Sequence, residues 1–441
     1  MASMTGNQSA NVSGTKYIDS RCIVEFRPDD KWQGEYGFDW YRRGDIVENI
    51  NGIKTTSSYV GIVGEYMPKD PDYGEDAAKL HVNKAGAYPE KHYYADKLAR
   101  DEYPIFKIKG LARNYIVPYI SLYFESEQRN QRTLPNTMLY KGSDGSYYRH
   151  QFCKVEASIK LLIEARSIQR IDFVCDDELS VSPKTIRNIP DGQSSNQKVT
   201  ISFKYMFDGE PHKAVKVFAY HNDGTTKTFA GQINIVRCVP KAVDICFVNV
   251  KTRLNDTTVS VGMPNFTFID NQMNYLRGFL AQAHIIPKIS IKDLDFTDTS
   301  NYKAYYHNRL VLLKYGWNNV EITTKLERLF DQKYPNNNAY KVFFLGEKGL
   351  GGSANNYYYL AGHAKDIPAK SLVIYNNPED DSTVTHELLH CFGLWHSFSN
   401  KSKHTFEKKK TNNIMDYSKD TISLWRWQWE KINNADGLRV I

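Results

Sequence analysis

Three histidines and one glutamate near the C-terminal end have the residue types and the spacing that a catalytic metal ion requires. The stretch His-Glu-Leu-Leu-His-Cys-Phe-Gly-Leu-Trp-His supplies His386, Glu387, His390 and His396. Residues four apart lie on one face of a helix, about 6 Å apart along its axis, so His386 and His390 can bind one metal ion. Glu387, one position further on, can activate a bound water without binding the metal itself. Three protein ligands leave a fourth position for water, which is typical of catalytic rather than structural zinc.

A glycine inside this stretch predicts where the helix ends. Gly393 can adopt the left-handed conformation without steric cost, as a helix C-terminus often requires. The chain can then turn, and His396 can return as the third ligand from outside the helix. The alternative interpretation is that two ordinary histidines share one face of an amphipathic helix. That alternative explains His386 and His390 but not the offsets of Gly393 and His396.

A methionine follows shortly downstream, in Asn413-Ile414-Met415-Asp416-Tyr417. Its thioether can form a soft, polarizable floor beneath the metal ligands. The extended motif followed by this methionine resembles the metzincin metallopeptidases. The motif is most similar to that of the pappalysin-like branch, in which His-Glu-x-x-His-x-x-Gly-Leu-x-His is followed by Met-Asp-Tyr-Ser. The matching residues are His386, Glu387, His390, Gly393, Leu394, His396, Met415, Asp416, Tyr417 and Ser418.

The resemblance covers the last third of the chain and implies hydrolysis of peptide bonds. It implies that the three histidines bind Zn²⁺, that Glu387 is the general base and acid, and that Met415 is the turn methionine. Between His396 and Met415 the chain is short and basic and has no cysteine. Larger members of the family carry more residues there, so the subfamily and the substrate preference stay open.

The resemblance suggests a role for two further features, Tyr417 and the segment 360–363. In the astacin and serralysin branches a tyrosine at the place of Tyr417 can reach the metal or the oxyanion, and a phenol is a suitable donor to developing negative charge. An ordinary packed tyrosine is the equal alternative. The resemblance also implies an edge strand at Leu360, Ala361, Gly362 and His363, whose unpaired backbone groups would bind an extended peptide. For His363 a plain surface histidine is the favoured alternative.

The elements that must position these residues are predicted from hydrophobic periodicity. From about Lys241 the pattern alternates strand and helix, in the order that a metzincin N-terminal subdomain requires, and Thr383 or Ser382 is expected to be the N-cap residue of the helix that carries the histidines. The predicted elements are a strand at Asp244–Val250, a helix at Gln272–His284, a strand at Pro287–Leu294, a helix at Val320–Asp331, strands at Lys341–Leu345 and Leu372–Tyr375, and a final helix from Trp425.

The residues before Lys241 show a different pattern. Residues 1–16 are polar and are expected to be disordered or tag-like, and residues 17–112 to form a β-rich N-terminal module. Residues 113–240 show short alternating strands with turns between them, which favours an immunoglobulin-like β-sandwich. The chain is therefore predicted to be multidomain, with residues 241–441 as an α/β metzincin catalytic domain. The N-terminal part faintly resembles modules of bacterial type VI secretion proteins.

Composition restricts the function classes. A hydrophobic share of 41% in 441 residues suffices for real cores. The net charge of +7 is mild and does not indicate a nucleic-acid partner. The six cysteines include no Cys-x-x-Cys pair, which argues against a structural zinc ribbon. No apolar run reaches the length of about 18 residues that a membrane span needs, and the N-terminus has no apolar signal core.

The predicted function is a zinc-dependent endopeptidase that acts through a metal-activated water on a protein or peptide substrate. The protein could further be a secreted bacterial effector. Its expected partners are then secretion machinery or an immunity protein. It would be exported without a visible signal peptide, or stay in the cytoplasm until delivery. The alternative from another class is a non-catalytic adhesin or secretion-apparatus delivery protein with a vestigial zinc site. The intact Glu387 argues against that alternative, because a decayed enzyme often loses this carboxylate.

Overall fold

The computed structural model of the protein describes most of the chain after residue 20. The described residues are 21–44, 46–49, 52–55, 57–67, 79–81, 93–108, 113–124, 139–141, 147–149, 153–205, 209–255, 258–262, 266–298, 305–307, 310–312, 314–315, 320–353, 356–376, 382–418 and 421–441. The prediction for residues 1–16 lies outside them.

Strands outnumber helices along the described chain. The strands before residue 150 are β1 (Arg21–Pro28), β2 (Gly37–Asp39), β3 (Ile46–Asn49), β4 (Gly52–Thr55), β5 (Val63–Met67), β6 (Lys79–His81), β7 (Ile105–Phe106), β8 (Tyr115–Ile116), β9 (Tyr119–Ser121), β10 (Leu139–Lys141) and β11 (Tyr147–Arg149). Those of the middle part are β12 (Glu156–Arg166), β13 (Ile168–Cys175), β14 (Leu179–Ser182), β15 (Thr185–Arg187), β16 (Gly192–Phe203), β17 (His212–His221) and β18 (Lys227–Val236).

The C-terminal part mixes strands and helices. Its strands are β19 (Lys241–Asn255), β20 (Thr258–Val261), β21 (Ile285–Phe296), β22 (Tyr306–His307), β23 (Leu310–Leu312), β24 (Lys314–Tyr315), β25 (Val320–Glu321), β26 (Tyr340–Phe344), β27 (Gly349–Ser353), β28 (Asn356–Leu360), β29 (Gly362–Ala364), β30 (Ser371–Ile374), β31 (Thr405–Phe406) and β32 (Arg439–Val440). The helices of the whole described chain are α1 (Tyr59–Ile62), α2 (Tyr93–Glu102), α3 (Phe266–Gln282), α4 (Ile322–Lys333), α5 (Thr383–Cys391) and α6 (Arg426–Asn433).

Two sheets in the first half of the chain share one apolar core. One sheet has the strand order β1-β12-β16-β14 and the other β15-β13-β17-β18-β9-β2. Along β12 buried and more exposed residues alternate, as expected of a strand with one face against a core. Phe26, Ile159 and Ile233, which come from both sheets, belong to one buried cluster. The β-rich, multi-sheet organisation is therefore confirmed, whereas the immunoglobulin-like arrangement stays a prediction.

The residues expected to form a separate module at 17–112 divide between two cores. β1 is antiparallel to β12 along its whole length, and β2 pairs with β9, so both strands belong to the two-sheet core. The elements that follow contribute Tyr59, Val63 and Leu98 to a different cluster, which consists mainly of C-terminal residues. This segment thus links the two halves of the molecule, because its apolar side chains pack on both.

The C-terminal sheet is built around β19. One edge of β19 is parallel to β21 over twelve residue pairs, and its other edge is parallel to β26 over Ile245–Asn249. β26 pairs in parallel with β30, and β30 pairs with the antiparallel β29, which is the last strand on this side of the sheet. Long apolar strands of this kind suit a parallel sheet that is covered on both faces.

Helices cover both faces of this sheet and bear out the predicted alternation. Val243 and Ile245 share a core with Leu280 of α3 and Leu388 of α5. On the opposite face, neighbouring strand residues pack against α4. α3 ends at Gln282, before the predicted end at His284, because His284 itself adopts a positive φ of 57° that stops a helix. Within the described part of the chain, no helix has the length and apolar character to cross a membrane.

Candidate metal centre and active site

α5 carries the first two histidines on the side that faces a cleft. Val384 and Leu388 are fully buried and fix this helix against the sheet. His386 and His390 lie four positions apart, as the spacing predicts, and their ring centroids are 4.8 Å apart. Ser382 precedes the first helical residue, in agreement with one of the two predicted starts.

The helix ends as the glycine predicts, and the third histidine follows from outside it. The last residue of α5 is Cys391, and Gly393 has a φ of 94°, in the left-handed region that favours glycine. The Gly393 and Leu394 amides donate to the carbonyls of His390 and Leu389, at 2.8 and 3.0 Å. This turn reverses the chain and brings His396 back over the helix.

The three histidines converge on one point. A ligating nitrogen of each of His386, His390 and His396 lies within 4.8 Å of those of the other two. The Nε2 atoms of His390 and His396 are 3.1 Å apart. Two ligands of a tetrahedral zinc ion with bonds of about 2.0–2.1 Å lie about 3.3 Å apart, so this separation fits such an ion. Imidazole donors suit zinc, copper, iron and nickel, so the donor set is compatible with zinc without selecting it.

Backbone carbonyls orient two of the three rings. His386 Nδ1 lies 2.8 Å from the Ile414 carbonyl oxygen, and His390 Nδ1 lies 2.7 Å from that of Leu394. A ring that donates its Nδ1–H to a carbonyl presents an unprotonated Nε2, which is the atom that binds a metal. The two rings are therefore held in the tautomer that a metal ligand needs.

The histidine cluster favours neutral rings. Burial, followed by the charges of its histidine neighbours, lowers the pKa of His390 well below its ordinary value. Burial and His386 lower the pKa of His396 to about 3. Metal binding requires deprotonated imidazoles, so ligands that stay neutral need no proton release near neutral pH.

Glu387 is held by the backbone of β29. Its Oε2 accepts a hydrogen bond of 2.7 Å from the Ala364 amide. In β29 the amides of Gly362 and Ala364 point away from β30, because the antiparallel register leaves alternate residues unpaired on that side. Gly362 packs so closely on the helix that an added Cβ would lie 2.8 Å from the Glu387 Cγ. The position of this carboxylate is therefore set by β29 as well as by its own helix.

The turn around Met415 is hydrogen-bonded to the segments that carry the histidines. Met415 is fully buried, and its carbonyl accepts a hydrogen bond of 2.8 Å from the Ser397 amide, the residue after the third histidine. Asp416 fixes the turn, because its carboxylate accepts hydrogen bonds from Lys409, Thr411 and Tyr417. The same turn supplies the Ile414 carbonyl that orients His386.

Tyr417 lies at the cluster and is not simply packed into the core. Its hydroxyl is 3.0 Å from the Nε2 of His396, and 48% of the residue is exposed. A phenol in this place can donate to a group bound at the cluster. The ring also packs against Phe398, with centroids 5.0 Å apart, so the alternative of an ordinary packed tyrosine stays open.

A cleft of about 1060 Å³ opens over the cluster. Its walls come from β28 and β29, from α5 and from the turn around Met415, and they include His386, Glu387 and Tyr417. The predicted edge strand is divided: Leu360 ends β28, Ala361 forms a bend, and Gly362 begins β29. Leu360, Ala361 and Gly362 all line the cleft.

His363 does not join the histidine cluster. Its Nε2 lies 3.7 Å from a carboxylate oxygen of Glu321, and a third of its side chain is exposed. This position agrees with the surface histidine that the sequence favoured.

Several contributors to the site gave no signal in the sequence. Phe398 stacks on the His396 ring at 4.7 Å between centroids, with an angle of 8° between the planes. The carbonyls of Ile414 and Leu394 and the amide of Ala364 are backbone groups, whose direction depends on the folded chain. Phe398 stands two residues after His396, a spacing that by itself predicts no contact between the two rings.

The comparisons with known proteins leave the family open. No family model and no curated protein matches the sequence. Among solved structures, a family 123 glycoside hydrolase from Clostridium perfringens shares 9% identity at a TM-score of 0.13. The match covers 48% of this chain and 46% of the hydrolase chain, so it spans less than half of that protein. Similarity at this level carries no conclusion about fold or activity.

Proposed function

We propose that the protein is a zinc-dependent endopeptidase. The observation that carries the proposal is the convergence of three imidazoles within 4.8 Å next to an open cleft that His386 and Glu387 line. Three protein nitrogens leave one position of a tetrahedral ion for water or substrate, which distinguishes a catalytic site from a structural one. The resemblance to metzincins points to peptide bonds as the substrate.

His386, His390 and His396 would hold the ion. A bound zinc ion supplies Lewis acidity that polarises a carbonyl and makes a nearby water more acidic. Around it the carbonyls of Ile414 and Leu394 keep two rings in the ligand tautomer. Outer partners of this kind maintain metal affinity.

Glu387 would move the proton. Its Oε2 is engaged by the Ala364 amide, which leaves Oε1 to take a proton from the attacking water. The carboxylate then passes that proton to the leaving amine, so that one residue serves as base and acid in turn. The hydroxyl of Tyr417 would donate to the negative charge that develops on the carbonyl oxygen.

The substrate would lie along β29. The backbone groups of Gly362 that point away from β30 can pair with an extended peptide, as in strand addition to a sheet edge. The exposed strands and turn that line the cleft leave it open to a chain passing through, which suits an endopeptidase. Delivery by secretion machinery and inhibition by an immunity protein stay predictions of the sequence.

The proposal is tested by replacing the carboxylate of Glu387 with the amide of glutamine. Glu387→Gln should retain stoichiometric zinc by elemental analysis and lose about 10²–10⁴-fold in kcat on casein or a peptide library, the range for a general base. A chelator should abolish wild-type hydrolysis, and added zinc should restore it. Glu156→Gln, at an exposed position of β12, serves as the matched control. Full activity of Glu387→Gln, or wild-type protein that holds no metal after reconstitution, would refute the proposal.

A further inference from the structure

The loop between the third histidine and the turn has little regular structure of its own. We call residues 397–412 the connecting loop; its one strand, β31, has two residues. The Ser397 amide donates to the Met415 carbonyl at 2.8 Å, and the Phe406 amide donates to the Ser397 carbonyl at 2.9 Å. The residue next to His396 is thus fixed through Met415 on one side and through β31 on the other.

β31 depends in turn on β5, far upstream. Thr405 and Phe406 pair with Gly64 and Val63 in antiparallel register. The Asn400 side chain donates to the Tyr66 carbonyl at 2.6 Å and accepts from the Tyr66 amide at 2.9 Å. A continuous series of hydrogen bonds therefore leads from β5 through the connecting loop to the residue after the third histidine.

A buried carboxylate of α2 anchors the same loop. The Glu102 side chain is fully buried, and its Oε1 accepts hydrogen bonds from Lys403 at 2.7 Å and from His404 at 2.8 Å. Its Oε2 lies 3.1 Å from an Arg426 guanidinium nitrogen. Removal of a buried carboxylate that neutralises Lys403 and Arg426 is costly, because both cations are left without compensation. Glu102 is therefore well placed to fix the loop against α2 and α6.

We infer that Glu102 is a positioning residue for the third metal ligand, and that β5 and α2 are parts of the metal centre rather than of a separable N-terminal module. The inference rests on the proposed metal site. His396 lies outside α5, so no helix fixes it, and its place follows from the loop that β5 and α2 hold. The intact chain is then the metal-competent form, and loss of the N-terminal elements weakens metal binding instead of activating the protein.

The full-length chain with Glu102→Gln tests this, with Asp101→Asn as the matched control. Asp101 is the preceding residue of α2, has an exposed side chain and pairs only with Lys97 in the described contacts. Zinc affinity is measured by competition with a chelator, and the visible absorption of bound cobalt(II) reports the ligand geometry. We expect Glu102→Gln to bind zinc about 10–100-fold more weakly with an altered cobalt spectrum, the effect of losing an outer support of a ligand. Asp101→Asn should stay within about twofold of wild type.

A second variant covers the case in which Glu102→Gln does not fold. Asn400→Ala removes the two hydrogen bonds to Tyr66 without uncovering a charge, and it should also weaken zinc binding while thermal unfolding stays cooperative. Wild-type zinc affinity and cobalt spectrum in a folded Glu102→Gln or Asn400→Ala protein would overturn the inference and leave the peptidase proposal intact. Wild-type protein without metal would overturn both. Wild-type protein that binds zinc but cleaves no peptide would refute only the peptidase proposal. The zinc affinities of the variants would still show whether Glu102 positions the third ligand.

Discussion

Replacing Gly362 by alanine tests whether β29 sets the position of the proposed base. The Ala364 amide holds the Glu387 Oε2 at 2.7 Å, and Gly362 is the strand residue that faces the helix beside it. An alanine Cβ would lie 2.8 Å from the Glu387 Cγ and 2.9 Å from the Thr383 Cγ2, closer than carbon atoms tolerate. To reach an ordinary van der Waals contact of 3.4–4 Å, the Glu387 Cγ must move away by about 0.6–1.2 Å, which lengthens the hydrogen bond to Ala364.

The expected effect is on the chemical step and not on the metal. A misplacement of about 1 Å at a reacting group costs about 100-fold in rate, which corresponds to about 2.7 kcal/mol in the activation free energy. We expect kcat of Gly362→Ala on a fluorogenic peptide to fall by about that factor, with zinc content unchanged because the three atoms nearest to the new methyl group belong to Glu387, Thr383 and Ile374.

The control is another glycine-to-alanine change. At the exposed Gly61 an added Cβ meets no atom within 4 Å, so Gly61→Ala should keep wild-type kcat. Activity of Gly362→Ala within about twofold of wild type, with metal bound, would show that β29 does not position the base. Loss of zinc in Gly362→Ala would show instead that the strand acts through the ligands.

Three further predictions concern Tyr417, Gly393 and Glu102. Tyr417→Phe removes the hydroxyl next to His396 and should lower kcat about 10²-fold at nearly constant zinc affinity; unchanged steady-state kinetics would leave Tyr417 a packing residue. Gly393→Ala forces a left-handed alanine and should lower the free energy of unfolding in urea by about 1–2 kcal/mol, and equal stability would contradict that reason. Burial alone would raise the pKa of Glu102, but the hydrogen bonds that His404 and Lys403 donate to its carboxylate lower that pKa overall. Its stabilisation should therefore be complete above about pH 4.5 and lost as pH falls below that value, so the Tm difference between wild type and Glu102→Gln should shrink only in acid.

The parts of the site that were predicted correctly depend on local spacing. His386 and His390 share a helix face because the period of the helix is 3.6 residues, whatever the rest of the chain does. The left-handed Gly393 follows from a steric property of one residue type. The end of α3 was misplaced by two residues because periodicity continued through His284, whose backbone leaves the helical region.

The contacts that were missed join residues far apart in sequence. One example lies in the aromatic and charged stretch from Phe38 to Asp45, which contains no catalytic spacing that could be recognised from the sequence. In the structure Asp39, within it, is fully buried: it accepts a hydrogen bond of 3.0 Å from the Arg426 amide at the start of α6 and another of 2.9 Å from the Tyr103 hydroxyl. A carboxylate at a helix N-terminus satisfies an otherwise unpaired amide. No pattern within the stretch could reveal a partner almost 390 positions away.

The proposed catalytic unit extends beyond its motif. The proposed ligands His386 and His390 and the proposed base Glu387 need only the motif, because one helix carries all three. The proposed third ligand, His396, directly precedes the connecting loop, whose hydrogen bonds run to β5, while Glu102 joins that loop to α2 and α6. A division of the chain at residue 112 or 240 would cut through these contacts. Residues of the proposed metal site and residues that support it are therefore encoded about 300 positions apart in the sequence, and the energetic coupling between Glu102 and zinc affinity measures how far one depends on the other.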